Sequence, residues 1–247
     1  MFLQFEGIEN VRDLGGMTRA DGAVIRSGRL LRTGRLEKAT DADEARLTDM
    51  GLWAVVDFRD IGECERNPDR VIGSAVYHKM PALPPLSDFF GKPGDSGFTA
   101  KRCHEDFRMI YRLLAQSPRS QETYTKFFEI LLASGGRPVL WHCTQGKDRT
   151  GVAAMLVLSA LGFEREQILD EFMLTNEFTL PLLERMLSTG QHDDADILRE
   201  VFTVWRENAQ LYFDTVELEY GSVQNYLELA LNIGPEQIET LEGYYLE

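Results

Sequence analysis

The chain has 247 residues, 43% hydrophobic and 27% charged, enough to bury the core of one large domain. Its 26 Lys and Arg stand against 40 Asp and Glu, a net charge of −14 that argues against nonspecific binding of nucleic acid or an anionic membrane. An anionic substrate would have to be drawn in by a local basic pocket, against the overall field.

The start, Met1–Glu6, lacks a basic stretch followed by an apolar core, so no standard signal peptide is expected. No apolar run approaches the roughly 20 residues of a membrane-spanning helix. Cys64, Cys103 and Cys143 do not make a disulfide framework, which predicts a reducing, cytoplasmic setting, with leaderless secretion left open. Residues 1–35 read as turns and short strands, with a glycine pair at Gly15-Gly16 and a strand candidate at Ala23–Arg26. Thr40 with Asp43 reads as an N-cap opening a helix to about Met50, closed by Gly51. Leu52–Phe58 is a continuous apolar run that ends in polar residues, the pattern of a buried strand. Residues 81–98 mix four prolines, three glycines and three phenylalanines, and are read as a lid, within a lid insertion over 80–116, with a mobile surface loop as the alternative. Helical patterns follow at 104–116 and 120–134, then a strand at 138–142, a loop, and a helix from Arg149 to Leu161. The remainder, 164–247, is helical in pattern. This order predicts a single α/β domain, 1–247, with a central sheet flanked by helices and an extended helical C-terminal part.

The densest signal is His142-Cys143-Thr144-Gln145-Gly146-Lys147-Asp148-Arg149-Thr150-Gly151. Strand, tight loop and helix start form the geometry in which backbone N–H groups converge on an anion, so Thr144 to Arg149 are expected to line a phosphate. A cysteine there, at a helix N-terminus beside cations, becomes an abundant thiolate at neutral pH and can attack phosphorus, forming a phosphocysteine. Arg149 offers a planar fork for two equatorial oxygens. Gly146 is expected to let the backbone approach the phosphate without a Cβ in the way. The Thr150 hydroxyl either caps the helix or hydrogen-bonds the cysteine sulfur. His142 either steadies the loop from behind through a hydrogen bond or is simply packed. The reaction needs a proton donor for the departing oxygen and then a base for water, and Asp148 is placed to be both; Lys147 adds charge near a second phosphate or the leaving group, and the alternative is that both side chains point to solvent.

Cysteine, five residues, arginine and Ser/Thr resembles the protein-tyrosine-phosphatase superfamily. The full loop is similar to that of the atypical bacterial and fungal tyrosine and lipid phosphatases, a group with dual- and triple-specificity members. The resemblance extends through Asn10–Gly16, Ile25–Leu30, Val56–Asp60 with Glu63, and Tyr220-Gly221-Ser222. It implies a mostly parallel, cysteine-phosphatase-like sheet, Cys143 as nucleophile, Arg149 as phosphate ligand, Lys147 and Asp148 as the family's extra loop charges, and no metal or other cofactor. The family's loop aspartate is its proposed general acid, and this chain too has no Trp-Pro-Asp tripeptide; Asp57, Asp88 and Asp95 are the rivals. The family's Asp-Leu-Arg is Asp57-Phe58-Arg59 here. Those charges end a strand, where open α/β sheets bind ligands, so they are read as supporting residues, with an Arg59–Glu63 ion pair as the structural alternative.

The implied substrates are phosphotyrosine and, beyond it, phosphoserine/threonine or phosphoinositides, without nucleic acid or integral membrane partners. Two alternatives stand beside this: a silent phosphate-binding pseudophosphatase, and a sulfurtransferase, whose persulfide cradle would not need the cysteine–arginine spacing. The histidines, His78, His104, His142 and His192, show no metal-ligand spacing.

Overall fold

The computed structural model describes residues 1–85, 99–188 and 195–247. Strands β1 (Arg12–Asp13), β2 (Leu30–Thr33), β3 (Ala54–Asp57), β4 (Val76–Lys79) and β5 (Val139–His142) form one sheet in the order β1-β2-β5-β3-β4. β1 runs antiparallel to β2, and the other neighbours are parallel. The register aligns Thr33, His142, Asp57 and Lys79 along one edge, so Cys143 leaves the sheet at the carboxyl ends of its strands.

The helices are α1 (Asp41–Asp49), α2 (Ile61–Arg66), α3 (Ala100–Gln116), α4 (Pro118–Ala133), α5 (Asp148–Ala160), α6 (Arg165–Met173), α7 (Thr175–Ser188), α8 (Ala195–Phe202), α9 (Arg206–Tyr220), α10 (Val223–Leu229) and α11 (Pro235–Tyr245). Side chains alternate across a strand, and both sheet faces are covered. Leu30, Ala54, Val56, Val139 and Trp141 join the large core built with α3, α4, α5 and α9. Leu31, Val55 and Leu140 face a smaller core closed by Leu47 of α1 with Ile8 and Val11. Every residue of α5 from Arg149 to Ala160 is buried, which explains a helix that is apolar all round.

The α1 N-cap is as read, with Thr40 and Asp43 in a capping box. Ala23–Arg26 is extended but pairs with the chain's last residues, through Val24 and Glu247 and through Arg26 N–H to the Tyr245 carbonyl at 2.8 Å, and not with the sheet. Gly221 (φ +79°) ends α9 and Ser222 caps α10, accepting from the Asn225 N–H at 3.0 Å, so Tyr220-Gly221-Ser222 is a helix stop and start. Of the span expected as a lid insertion, residues 86–98, with Asp88, Asp95 and the three phenylalanines, lie outside the described residues, as does His192. Residues 100–116 are α3, whose face from Cys103 to Ala115 is packed into the core.

Candidate active site

The loop after β5 is held by its carbonyls. Asn10, itself at φ +56°, donates Nδ2–H to the carbonyls of Gln145 (3.0 Å) and Gly146 (3.2 Å), and Arg32 Nη2 donates to the Gly146 carbonyl at 3.0 Å. Arg32 is held in turn by Glu171 of α6 at 2.5 Å, which also lies 3.0 Å from Arg12. Burial lowers Arg12 to about 9, helped by the like charge of Arg32 and opposed by Glu171. α5 begins without a side-chain cap, the kind of helix start that can receive an anion. Tyr124 and Trp141 pin that turn, donating to the carbonyls of Arg149 (3.0 Å) and Thr150 (3.2 Å).

Gly146 is also required by the fold. Its φ is +68°, and a Cβ there would lie 2.4 Å from the Thr33 carbonyl oxygen, so the glycine permits close approach to the end of β2.

Cys143 is buried at the base of this cradle. Burial alone would raise its thiol, but the Arg149 charge, the Thr150 hydroxyl and the Thr150 N–H outweigh it, and the net shift is downward even with Asp148 opposing. The Thr150 hydroxyl is buried without a hydrogen-bond partner among the described residues, close enough to Cys143 to help lower its thiol.

Arg149 is gripped from behind by Glu63 of α2, with Nη1 to Oε2 at 2.6 Å and Nη2 to Oε1 at 2.8 Å; Nη1 also donates to the Phe58 carbonyl at 3.4 Å. A guanidinium has five N–H groups, so the Nε–H and the second Nη2–H remain for two phosphate oxygens. Burial opposes the Arg149 charge, but Glu63 and the Cys143 thiolate hold it firmly protonated. Burial likewise opposes the Glu63 carboxylate, which Arg149 and Thr144 hold well below the usual range. The Thr144 hydroxyl donates to Glu63 Oε1, and Asp60 and Glu63 close a capping box at the start of α2.

Asp57 and Arg59 form a buried cluster behind the loop. Arg59 bonds Asp57 through Nε (3.0 Å) and Nη2 (2.8 Å) and Asp69 through Nη2 (2.6 Å). The alternative Arg59–Glu63 ion pair is absent, because both partners are engaged elsewhere. His142 donates Nδ1–H to the Cys143 carbonyl (3.1 Å), and its Nε2 lies 3.1 Å from Asp69. Burial works against a charge on His142, but Asp57 and Asp69 outweigh it and raise its pKa, and its Nδ1–H steadies the cysteine's own carbonyl. Asp57, Asp69 and His142 are the one group among the described residues close enough to share a metal ion, and Arg59 already supplies the positive charge there.

Lys147 and Asp148 diverge. The Lys147 ammonium is buried, donates to the carbonyls of Val201 (2.5 Å) and Thr203 (3.3 Å) at the end of α8, and lies 4.5 Å from the Phe107 ring centroid. It therefore holds α8, with Nζ also 3.8 Å from Asp148 Oδ2. Asp148 Oδ1 accepts from Tyr111 of α3 at 2.8 Å, and its side chain is 20% exposed, so it can meet a ligand.

The profile described as the tyrosine phosphatase family matches residues 3–247. This chain belongs to that family. The phosphatase is 34% identical, over 99% of its length and 88% of the relative's, to a protein of Cupriavidus necator named as a tyrosine-protein phosphatase. It is 28% identical, over 98% of both chains, to the triple specificity protein phosphatase PtpB of Mycobacterium tuberculosis. A tyrosine-protein phosphatase of Nostoc commune is 24% identical over 63% of this chain and 51% of its own.

In this phosphatase Cys143, Thr144, Arg149, Thr150 and Asp148 converge on one cradle, with Gln145 and Gly146 contributing backbone. Asp57 and Arg59 lie behind it, and Lys147 is held by the end of α8 beside Asp148. Sequence reasoning missed the scaffold: Asn10, Arg32, Glu171, Tyr111, and Glu63 as the partner of Arg149. The signal for Asn10 and Glu63 was their place in the flanking motifs; Arg32, Glu171 and Tyr111 left none. No helix among the described residues is long and apolar enough to cross a membrane.

Proposed function

We propose that the chain hydrolyses phosphotyrosine through a phosphocysteine. The carrying observation is one loop that combines a thiol shifted toward thiolate with an arginine whose free N–H pair faces the same cradle. Cys143 Sγ attacks phosphorus in line while Arg149 and the loop N–H groups hold the equatorial oxygens. As the S–P bond forms, the P–O bond to the leaving group breaks, and the departing oxygen takes a proton from Asp148. The Asp148 carboxylate then removes a proton from water; water attacks phosphorus, the S–P bond breaks, and phosphate and the thiolate are released.

Phosphoserine/threonine and phosphoinositides are the wider substrate range, in keeping with the PtpB relative's name as a triple specificity protein phosphatase. The engagement of Lys147 by α8 favours singly phosphorylated substrates within that range. The nucleophile works only as a free thiol, and all three cysteines are free, which suits a reducing, cytoplasmic setting.

The test is turnover of a panel of phosphopeptides, phosphoinositides and p-nitrophenyl phosphate by wild type and Cys143→Ser. Cys143→Ser should lose turnover and keep vanadate binding. No wild-type turnover with tight vanadate binding would mark a pseudophosphatase; thiosulfate activity alone would mark a sulfurtransferase.

A further inference from the structure

Tyr111 lies on the buried face of α3, its ring edge-on to Phe172 at 6.2 Å, and its hydroxyl donates to Asp148 Oδ1 at 2.8 Å. Burial first, then the nearby charges of Asp148 and Cys143, push its phenol well above the ordinary value, so it keeps its proton. A phenol that keeps its proton can donate to a carboxyl oxygen whether that carboxyl is ionised or neutral. With Oδ1 occupied as an acceptor, a proton on Asp148 belongs on Oδ2.

We propose that Tyr111 is the positioning residue for the proton donor, its hydroxyl fixing Asp148 Oδ1 so that Oδ2 carries the proton delivered to the leaving group. This rests on Asp148 being the acid. A general acid must stand about 2.6–3.2 Å from the oxygen it protonates, and a partly exposed carboxyl without a tether would rotate away from that position. The same bond stabilises the carboxylate left after proton delivery, which is the base of the second step. The charged and titratable groups facing Asp148 are Tyr111 from α3, Tyr124 from α4, Lys147 with Nζ 3.8 Å from Oδ2, and Arg149 and Cys143 in the loop. Tyr111 is the uncharged hydrogen-bond donor among them.

Tyr111→Phe keeps the ring against Phe172 and removes only the donor. It should slow a simple alkyl phosphate about tenfold and p-nitrophenyl phosphate much less, because nitrophenolate departs with little protonation. The basic limb of the pH–rate profile should move up by about one pH unit, since the carboxylate loses a hydrogen bond. Incorporating 3-fluorotyrosine at 111 keeps the fold and strengthens the donor, so the limb should move the other way. Asp148→Asn, measured alongside, separates the two ideas. If Asp148→Asn loses the limb and the Tyr111 variants shift it in these opposite directions, the inference holds. If Asp148→Asn loses the limb while Tyr111→Phe leaves it in place or slows both substrates equally, Tyr111 is a packing residue and the inference falls while Asp148 remains the acid. If Asp148→Asn keeps the limb, the assignment of the acid fails first and the inference goes with it.

Discussion

Replacing Glu63 by glutamine tests the site at constant shape. The carboxylate accepts four hydrogen bonds, from Arg149 Nη1 (2.6 Å), Arg149 Nη2 (2.8 Å), the Asp60 N–H (3.0 Å) and the Thr144 hydroxyl. Its amide keeps one acceptor oxygen and puts NH₂ at the other position. The Thr144 hydroxyl can turn to accept, whereas the Asp60 N–H cannot, so the NH₂ should occupy the Oε1 position and face Arg149 Nη2. That loses one charge-assisted bond and leaves a buried guanidinium without its counter-charge, costing about 2–3 kcal/mol. For a chain of this length the melting temperature should fall by roughly 5–10 °C. A guanidinium held by one edge also presents its free N–H pair less accurately, so kcat/KM should fall roughly 10- to 100-fold. Vanadate should stabilise the variant less than the wild type, because its oxygens meet the same, less accurately aimed N–H pair.

The pH dependence has a definite sign. The Glu63 carboxyl is depressed in the folded protein, so its pairing contributes fully above the ordinary unfolded value of about 4.3 and is lost as pH falls toward the folded value. The stability gap between wild type and Glu63→Gln should therefore narrow below about pH 4. Thermal melts with and without vanadate, together with p-nitrophenyl phosphate kinetics, measure all of this. A variant that melts with the wild type and keeps kcat/KM within twofold would refute the claim that Glu63 positions Arg149.

Iodoacetamide at pH 6.5 should label Cys143 alone, because burial pushes Cys103 up to about 11, and burial with the Asp57 charge pushes Cys64 up to about 12; equal labelling of the three thiols by mass spectrometry would contradict the lowered nucleophile. Gly146→Ala forces a Cβ against the Thr33 carbonyl at 2.4 Å in a left-handed conformation that itself costs about 1–2 kcal/mol, so tungstate binding and turnover should both collapse, and calorimetry showing wild-type affinity would overturn this account of the glycine. Lys147→Met removes the donor to the Val201 and Thr203 carbonyls, so amide exchange across α8 should accelerate; unchanged protection there would mean that the lysine does not hold the helix.

Local chemistry made some of this protein legible without coordinates. The α1 capping box, the apolar run of α5 after Thr150 and the buried run of β3 are each settled within a few residues, where capping, period and turn chemistry act. So is the phosphate loop, because cysteine, arginine and the helix start lie close together in one sequence stretch. β2 and β4 escaped notice because Arg32 interrupts one apolar run and the other is a half-exposed edge strand, Val76–Lys79. Arg32 can be buried in a central strand only because Glu171, 139 residues away, comes back to meet it. The same holds for Glu63 with Arg149 and for Tyr111 with Asp148: each partner looks like an ordinary surface or core residue until the chain folds. Lys147 shows the converse, since a charge read as facing the substrate is turned inward by carbonyls at the end of α8. Spacing along the chain identifies which groups can do chemistry, because nucleophile, fork and cradle are one local unit. Their protonation and aim depend on charges and hydrogen bonds brought in from distant segments, and only the tertiary structure decides those.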